Sequence, residues 1–253
     1  MSRTRFFQNA LNLLLPDRCL LCLLALPDAR SDYLCEHCRM ALPLNVHSCW
    51  RCALPLPGLE QTPKDVVCGG CRVAPLADRA IAPLTYTPLS ARLIQRCKFG
   101  HGQREAICLS QLIATAIVLG YPEGLPELII PVPTSFLNHL RRGGNPCHLL
   151  AKPLAARFKL PVVANLVRRK HSAPQRKKTR RQRLNLPGNT FTLRKTWLIG
   201  GTLAHEIQGR HVVVIDDVMT TGTTARHMIR LLRGAGASRV DLWAAARAET
   251  PGP

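Results

Sequence analysis

The sequence predicts an α/β fold, a mainly parallel sheet flanked by helices, with a small metal-stapled domain in front of it. Three observations predict it. Apolar β-branched runs at residues 128–130 and 212–215 read as strands buried on both faces. Segments with helical apolar spacing lie between and after them. Four C-x-x-C pairs fall within the 53 residues from Cys19 to Cys71.

The elements follow in order. Arg3 and Arg5 before Phe6 and Phe7 imitate a signal peptide. Asn9 and Asn12 interrupt the apolar run and Pro16-Asp17-Arg18 stops it, so residues 4–15 are expected to form a short amphipathic helix. No apolar run reaches the roughly 18 residues of a membrane span, and a cytoplasmic protein is expected. Residues 72–78 read as a linker and 79–86 as a short strand. Helices are expected from Pro88 to about Phe99, over 103–119 and over 145–158, with another strand at 162–167. After the strand at 212–215, Ala225, Met228, Ile229, Leu232 and Ala235 recur at helical spacing.

The cysteine pairs are Cys19/Cys22, Cys35/Cys38, Cys49/Cys52 and Cys68/Cys71. Two thiolates two residues apart can meet one tetrahedral ion, and zinc takes four such ligands. Eight sulfurs therefore suit two structural zinc ions, in a segment too short and too rich in loops to fold on apolar burial alone. Spacings of 12 and 15 residues between pairs favour two ribbons in series; crossed pairing gives a cross-brace instead. Disulfides suit an oxidising compartment and are disfavoured here. His37 and His47 are not needed as ligands. Buried apolar packing is the default for Cys97, Cys108 and Cys147.

The densest chemistry lies in residues 212–224, where four apolar residues lead into Asp216 and Asp217, then Thr220, Thr221, Gly222, Thr223 and Thr224. A strand, a hydroxyl-rich loop and a helix start make an anion site, with backbone N–H groups and the positive end of the helix facing a phosphate. Helix capping alone accounts for Thr and Gly, but not for two adjacent, mutually repelling carboxylates. Those suit sugar hydroxyls or a metal-bound phosphate. The Pro131-Val132-Pro133 loop is expected on the same rim, because ligands of such sheets sit outside the carboxyl ends of strands.

The 253 residues carry a net charge of +20, unevenly placed. Residues 1–75 hold 8 Lys/Arg against 6 Asp/Glu, and 76–253 hold 27 against 9. Such a surface favours polyanions. Nine Lys/Arg and no acid occupy residues 168–183, which read as a solvated mobile loop able to close on a phosphorylated ligand or follow a nucleic-acid backbone. Aromatic content of 5% makes any such binding phosphate-led.

Residues 212–224 resemble the phosphoribosyl-pyrophosphate (PRPP) motif of type I phosphoribosyltransferases. With the cysteine pairs, Lys98-Phe99 and Arg142-Gly143-Gly144-Asn145, the chain resembles the ComF/GntX family over nearly its whole length. Gln175, Arg183 and Asn185 fit that family's flexible-loop pattern. Gly144 and Pro146 depart from its usual aromatic and glutamine, and residues 192–208 are longer than usual. The resemblance implies a double zinc ribbon over 1–75 and a phosphoribosyltransferase-like domain over 76–253. It implies that Thr220, Thr221, Gly222, Thr223, Thr224, Lys98 and Arg142 hold PRPP, with Asp216 and Asp217 on the ribose and Mg²⁺. It also implies a role in natural competence, DNA uptake or DNA utilisation, with single-stranded DNA and DNA-uptake proteins as partners. Thr220 stands where purine-salvage relatives place an acid, which argues against that reaction. The alternative is an active phosphoribosyltransferase of nucleotide metabolism with another acceptor.

Overall fold

The computed structural model describes residues 17–26, 32–56, 58, 65–99, 102–121, 124–134, 144–169, 190–194 and 203–249. The expected helix at 4–15, Arg142, Gln175, Arg183 and Asn185 lie outside them.

Two one-turn helices, α1 (Glu36–Met40) and α2 (Gly69–Val73), belong to the cysteine-rich segment. The main sheet contains β1 (Ala80–Ile81), β2 (Leu84–Thr85), β3 (Leu128–Pro131), β6 (His211–Met219) and β7 (Arg239–Arg247). Its order is β1-β7-β6-β3, with β2 on the same edge of β7 as β1, and every pairing is parallel. The helices α3 (Pro88–Lys98), α4 (Gln103–Gly120), α5 (Pro146–Phe158) and α6 (Thr223–Gly234) are within about a residue of their expected positions. In α6, Ala225, Met228, Ile229 and Leu232 are the buried residues, as their spacing requires, and Ala235 is the C-cap. At the start of α3, the Thr87 N–H donates to Ser90 Oγ at 2.9 Å and Pro88 occupies the first turn.

Several expectations are corrected. The strand at 79–86 is two pieces, because Ala82 and Pro83 leave the ladder; the Pro83 carbonyl instead accepts from Asn45 N. At 162–167 only Val162 bridges β3, and the strand is β4 (Val167–Arg169), antiparallel to β5 (Phe191–Leu193) in a separate two-stranded sheet. Arg168 and Arg169 therefore belong to a strand rather than to a loop. The supposed linker is packed in its second half: residues 72–75 are exposed, whereas Leu76 and Ala77 are buried and Asp78 accepts from Val240 N and Arg233 Nη2. The central strand β7 has no counterpart in the sequence expectations. Ala244, Ala245 and Ala246 favour helix intrinsically, yet lie fully buried in the sheet, where small side chains let helices approach closely.

The core centres on β6 and β7, whose Val212, Val213, Val214, Ile215, Leu242 and Trp243 are fully buried. At the amino end of β7, buried Asp241 accepts from Tyr121 Oη (2.8 Å) and Arg239 Nε (3.1 Å) and bonds His211 Nε2 (2.8 Å). Burial alone would raise this carboxyl, but the bonds from His211 and Arg239 outweigh it and hold it below the usual range.

Candidate functional site

The cysteines form two tetrads, Cys19/Cys22/Cys35/Cys38 and Cys49/Cys52/Cys68/Cys71, with the sulfurs of each within 4.8 Å of one another. Pairing is consecutive. Cys22 Sγ lies 3.7 Å from Cys35 Sγ, and Cys52 Sγ lies 3.7 Å from Cys68 Sγ. A tetrahedron with Zn–S bonds of about 2.3 Å has edges of about 3.8 Å, so the sulfurs fit zinc, and 3.7 Å is far too long for a disulfide.

The two centres repeat one design. Cys19 and Cys49 each open a tight turn, with Leu23 and Ala53 in left-handed conformations (φ 64° and 52°) donating back to Cys19 O and Cys49 O. Cys35 N donates to Cys19 Sγ, and Cys68 N to Cys49 Sγ, at 3.5 and 3.3 Å. Bonds of this kind steady thiolates: burial raises Cys19, but backbone donors from Cys22, Cys35 and Leu21 bring it down to about 6. His37 and His47 belong to neither tetrad.

The second site lies at the carboxyl end of the sheet. Strand β3 leaves β6 after Pro131, with Val132 N donating to Ile215 O at 3.0 Å, which opens the flank of β6 where Asp216 and Asp217 begin. The acids sit inside the strand, since Val218 and Met219 still pair with β7. Lys98, the last residue of α3, places Nζ 3.0 Å from Asp217 Oδ1. Asp216 Oδ1 accepts from the Asp217 N–H at 2.9 Å and from the Cys147 thiol at 3.5 Å. Burial, then the neighbouring Asp217, raises Asp216 to about 7; the Cys147 bond and Lys98 oppose the rise.

Cys147 is buried as expected, but it is not merely apolar filling. It sits in the first turn of α5, whose N-cap Asn145 accepts from Cys147 N and donates from Nδ2 to Val132 O, both at 3.0 Å. Asn145 thus ties the Pro131-Val132-Pro133 loop to the helix that presents the thiol. Nothing in the spacing of Cys147 signals this, because its partner lies 69 residues away.

After Met219, the loop of Thr220, Thr221 and Gly222 leads into α6. Gly222 is the N-cap at φ 73°, and a Cβ there would stand 3.1 Å from Leu76 Cδ2. Thr221 and Thr223 hydroxyls lie 2.8 Å apart, and the first-turn N–H groups of α6 have no intrahelical acceptors. Buried Arg247 underpins the loop: Nη1 donates to Met219 O (3.0 Å), Ala248 O (2.8 Å) and Thr220 O, while Nε donates to Cys52 O (3.0 Å). The structure thus brings Lys98, Asp216 and Asp217 together and sets the hydroxyl loop one step along the rim. No carboxylate general base stands at position 220.

Two family models match this chain. The family model described as a phosphoribosyl transferase domain matches residues 145–250, and that of a double zinc ribbon domain matches residues 10–72. DNA utilization protein YhgH of Salmonella typhi is 31% identical over 243 residues, covering 93% of this chain and 99% of that protein. Competence protein F of Haemophilus influenzae is 33% identical over 193 residues, 72% of this chain and 78% of that one. Among solved structures, adenine phosphoribosyltransferase from Thermoanaerobacter pseudethanolicus superposes loosely, with a TM-score of 0.33 and 18% identity over 62% of this chain and 85% of that one. With two structural zinc centres leading into a phosphoribosyltransferase-like sheet, this chain belongs to the ComF/GntX family.

Proposed function

We propose that the rim binds PRPP with Mg²⁺ and that the protein serves DNA utilisation in the cytoplasm by binding single-stranded DNA. The observation that carries the first part is the Asp216–Asp217–Lys98 cluster beside a hydroxyl-rich helix start. Thr221, Thr223, Thr224 and the N–H groups around Gly222 suit the 5-phosphate. Asp216 and Asp217 take the ribose hydroxyls, and their hard oxygens suit Mg²⁺, which would neutralise pyrophosphate charge. Lys98 is poised to move from Asp217 to a pyrophosphate oxygen, and Arg142 completes the set. The DNA part rests on the +18 balance of residues 76–253 and on what the similar proteins are called. The division at 75/76 belongs to the same reading.

Calorimetric titration with PRPP and Mg²⁺ tests the site. Asp216→Asn with Asp217→Asn is expected to lower affinity at least a hundredfold with the fold and zinc content kept. Equal affinity would remove the acids from the site. For DNA, replacing Lys177, Lys178, Arg180 and Arg181 by Ala is expected to flatten the salt dependence of oligonucleotide binding, and an unchanged slope would clear that segment of the role. The second reading, catalysis toward an acceptor other than a purine, is favoured by the intact acid pair and is read by pyrophosphate release from PRPP.

A further inference from the structure

Among the described residues, four buried side-chain polar atoms lack a hydrogen-bond partner, and three of them, Arg39 Nε, Asn45 Oδ1 and Arg79 Nε, belong to residues around one cavity. The cavity measures about 620 Å³, the size of small-molecule sites, and lies between the ribbons, β1 and α4. None of Lys98, Cys147, Asp216 or Asp217 lines it. Orphaned atoms of this kind are rare in native interiors, because each costs desolvation with nothing in return.

Arg79 is 9% exposed. Its guanidinium lies 3.5 Å from the Trp50 ring centroid and 4.8 Å from that of Tyr121, and no described carboxylate forms an ion pair with it. The rings orient the cation without neutralising it. Gly120 keeps the seat open, since a Cβ there would stand 2.7 Å from Arg79 Nη2. Asn45 braces the wall: Nδ2 gives its hydrogens to Ala53 O (2.9 Å) and Ala82 O (3.0 Å), which ties the ribbon to the segment after β1. Arg39 is already neutralised by Asp32. Leu34, Leu42, Leu112 and Ala116 supply apolar wall.

We propose that this cavity binds a small organic carboxylate that has an apolar or aromatic body. The carboxylate balances Arg79, and the body covers the apolar wall. A bare inorganic anion leaves that wall wet, and a neutral ligand leaves the guanidinium without an ion pair, since Asp65 and Asp241 act on it only at longer range.

The probe is 4-hydroxybenzoate, which carries both groups and is a poor zinc chelator, added to the full zinc-loaded chain. Its binding is expected to raise the melting temperature progressively with concentration. In the Arg79→Met and Leu112→Trp variants the shift is expected to vanish; Leu112→Trp fills the space without touching the charge and decides the matter if Arg79→Met does not fold. Acetate and 4-hydroxybenzamide, each lacking one feature, are expected to bind at least tenfold more weakly. No shift in the unsubstituted protein, or equal shifts in it and in a folded variant, would overturn the proposal. Equal binding of acetate reduces the cavity to a bare anion site, and equal binding of the amide reduces it to an apolar groove; either result also overturns it.

Discussion

Arg247 donates from Nε to the carbonyl of Cys52, a ligand of the second zinc centre, while Nη1 of the same side chain holds the carbonyls of Met219 and Thr220 at the foot of the hydroxyl loop. One buried guanidinium therefore joins the ribbon to the rim. Leu76, five residues after the ligand Cys71, makes the parallel link, with its side chain against Gly222.

Arg247→Met removes charge-assisted bonds and strands the buried carbonyl of Cys52. The expected loss is about 3 kcal/mol of stability. Urea unfolding reads that loss, and chelator-driven zinc release from the second centre is expected to quicken. Unchanged release kinetics would show that the link carries no strain between the two sites.

Gly222→Ala is expected to cost about 1–2 kcal/mol, from the left-handed backbone and the crowding of Leu76. Pairing it with Leu76→Ala relieves the crowding and leaves the backbone cost. Thermal melts of the two single variants and the double variant separate these contributions. An additive double variant would mean that the contact is not the constraint.

Metal analysis is expected to give two zinc ions per chain. Cys38→Ser and Cys71→Ser should each lose one ion, because consecutive pairing makes the centres independent. Only Cys71→Ser is expected to weaken PRPP binding as well, since only the second centre touches the hydroxyl loop through Arg247 and Leu76. A single ligand change that empties both centres would contradict the pairing.

Asp216 has its pKa raised to about 7 by burial and by Asp217, so the pair is not fully ionised below neutrality. A cation competes with that proton, and Mg²⁺-dependent binding is therefore expected to strengthen as the pH rises from 6 to 8. Lys98→Met removes a charge that opposes the rise, so the transition should move to higher pH. Calorimetry across the pH range measures both, and a flat profile would count against proton competition at Asp216.

The legible part of this protein is its local chemistry. Paired cysteines announce tetrahedral sulfur sites, and four apolar residues running into two acids announce a buried strand that reaches the carboxyl rim of the sheet. Both signals occupy contiguous residues, so no knowledge of packing is needed. Lys98 and the Asn145 segment emerged only through family resemblance. Arg247, Leu76, Cys147 and Arg79 gave no signal, because each acts on groups remote in the sequence or through the absence of a partner.

The sequence by itself determined the α/β class, the eight paired cysteines and the run of acids and threonines at residues 216–224. Tertiary structure decided that the alanine-rich segment 244–246 is a central strand, against its intrinsic preference, because full burial between neighbouring elements outweighs a few tenths of a kcal/mol per residue, about the scale of helix propensity. It also decided that the ribbon and the rim share one buried arginine. Periodicity records what a residue does along the chain, and the acceptors of Arg247 are fixed only when β7 ends beside Cys52.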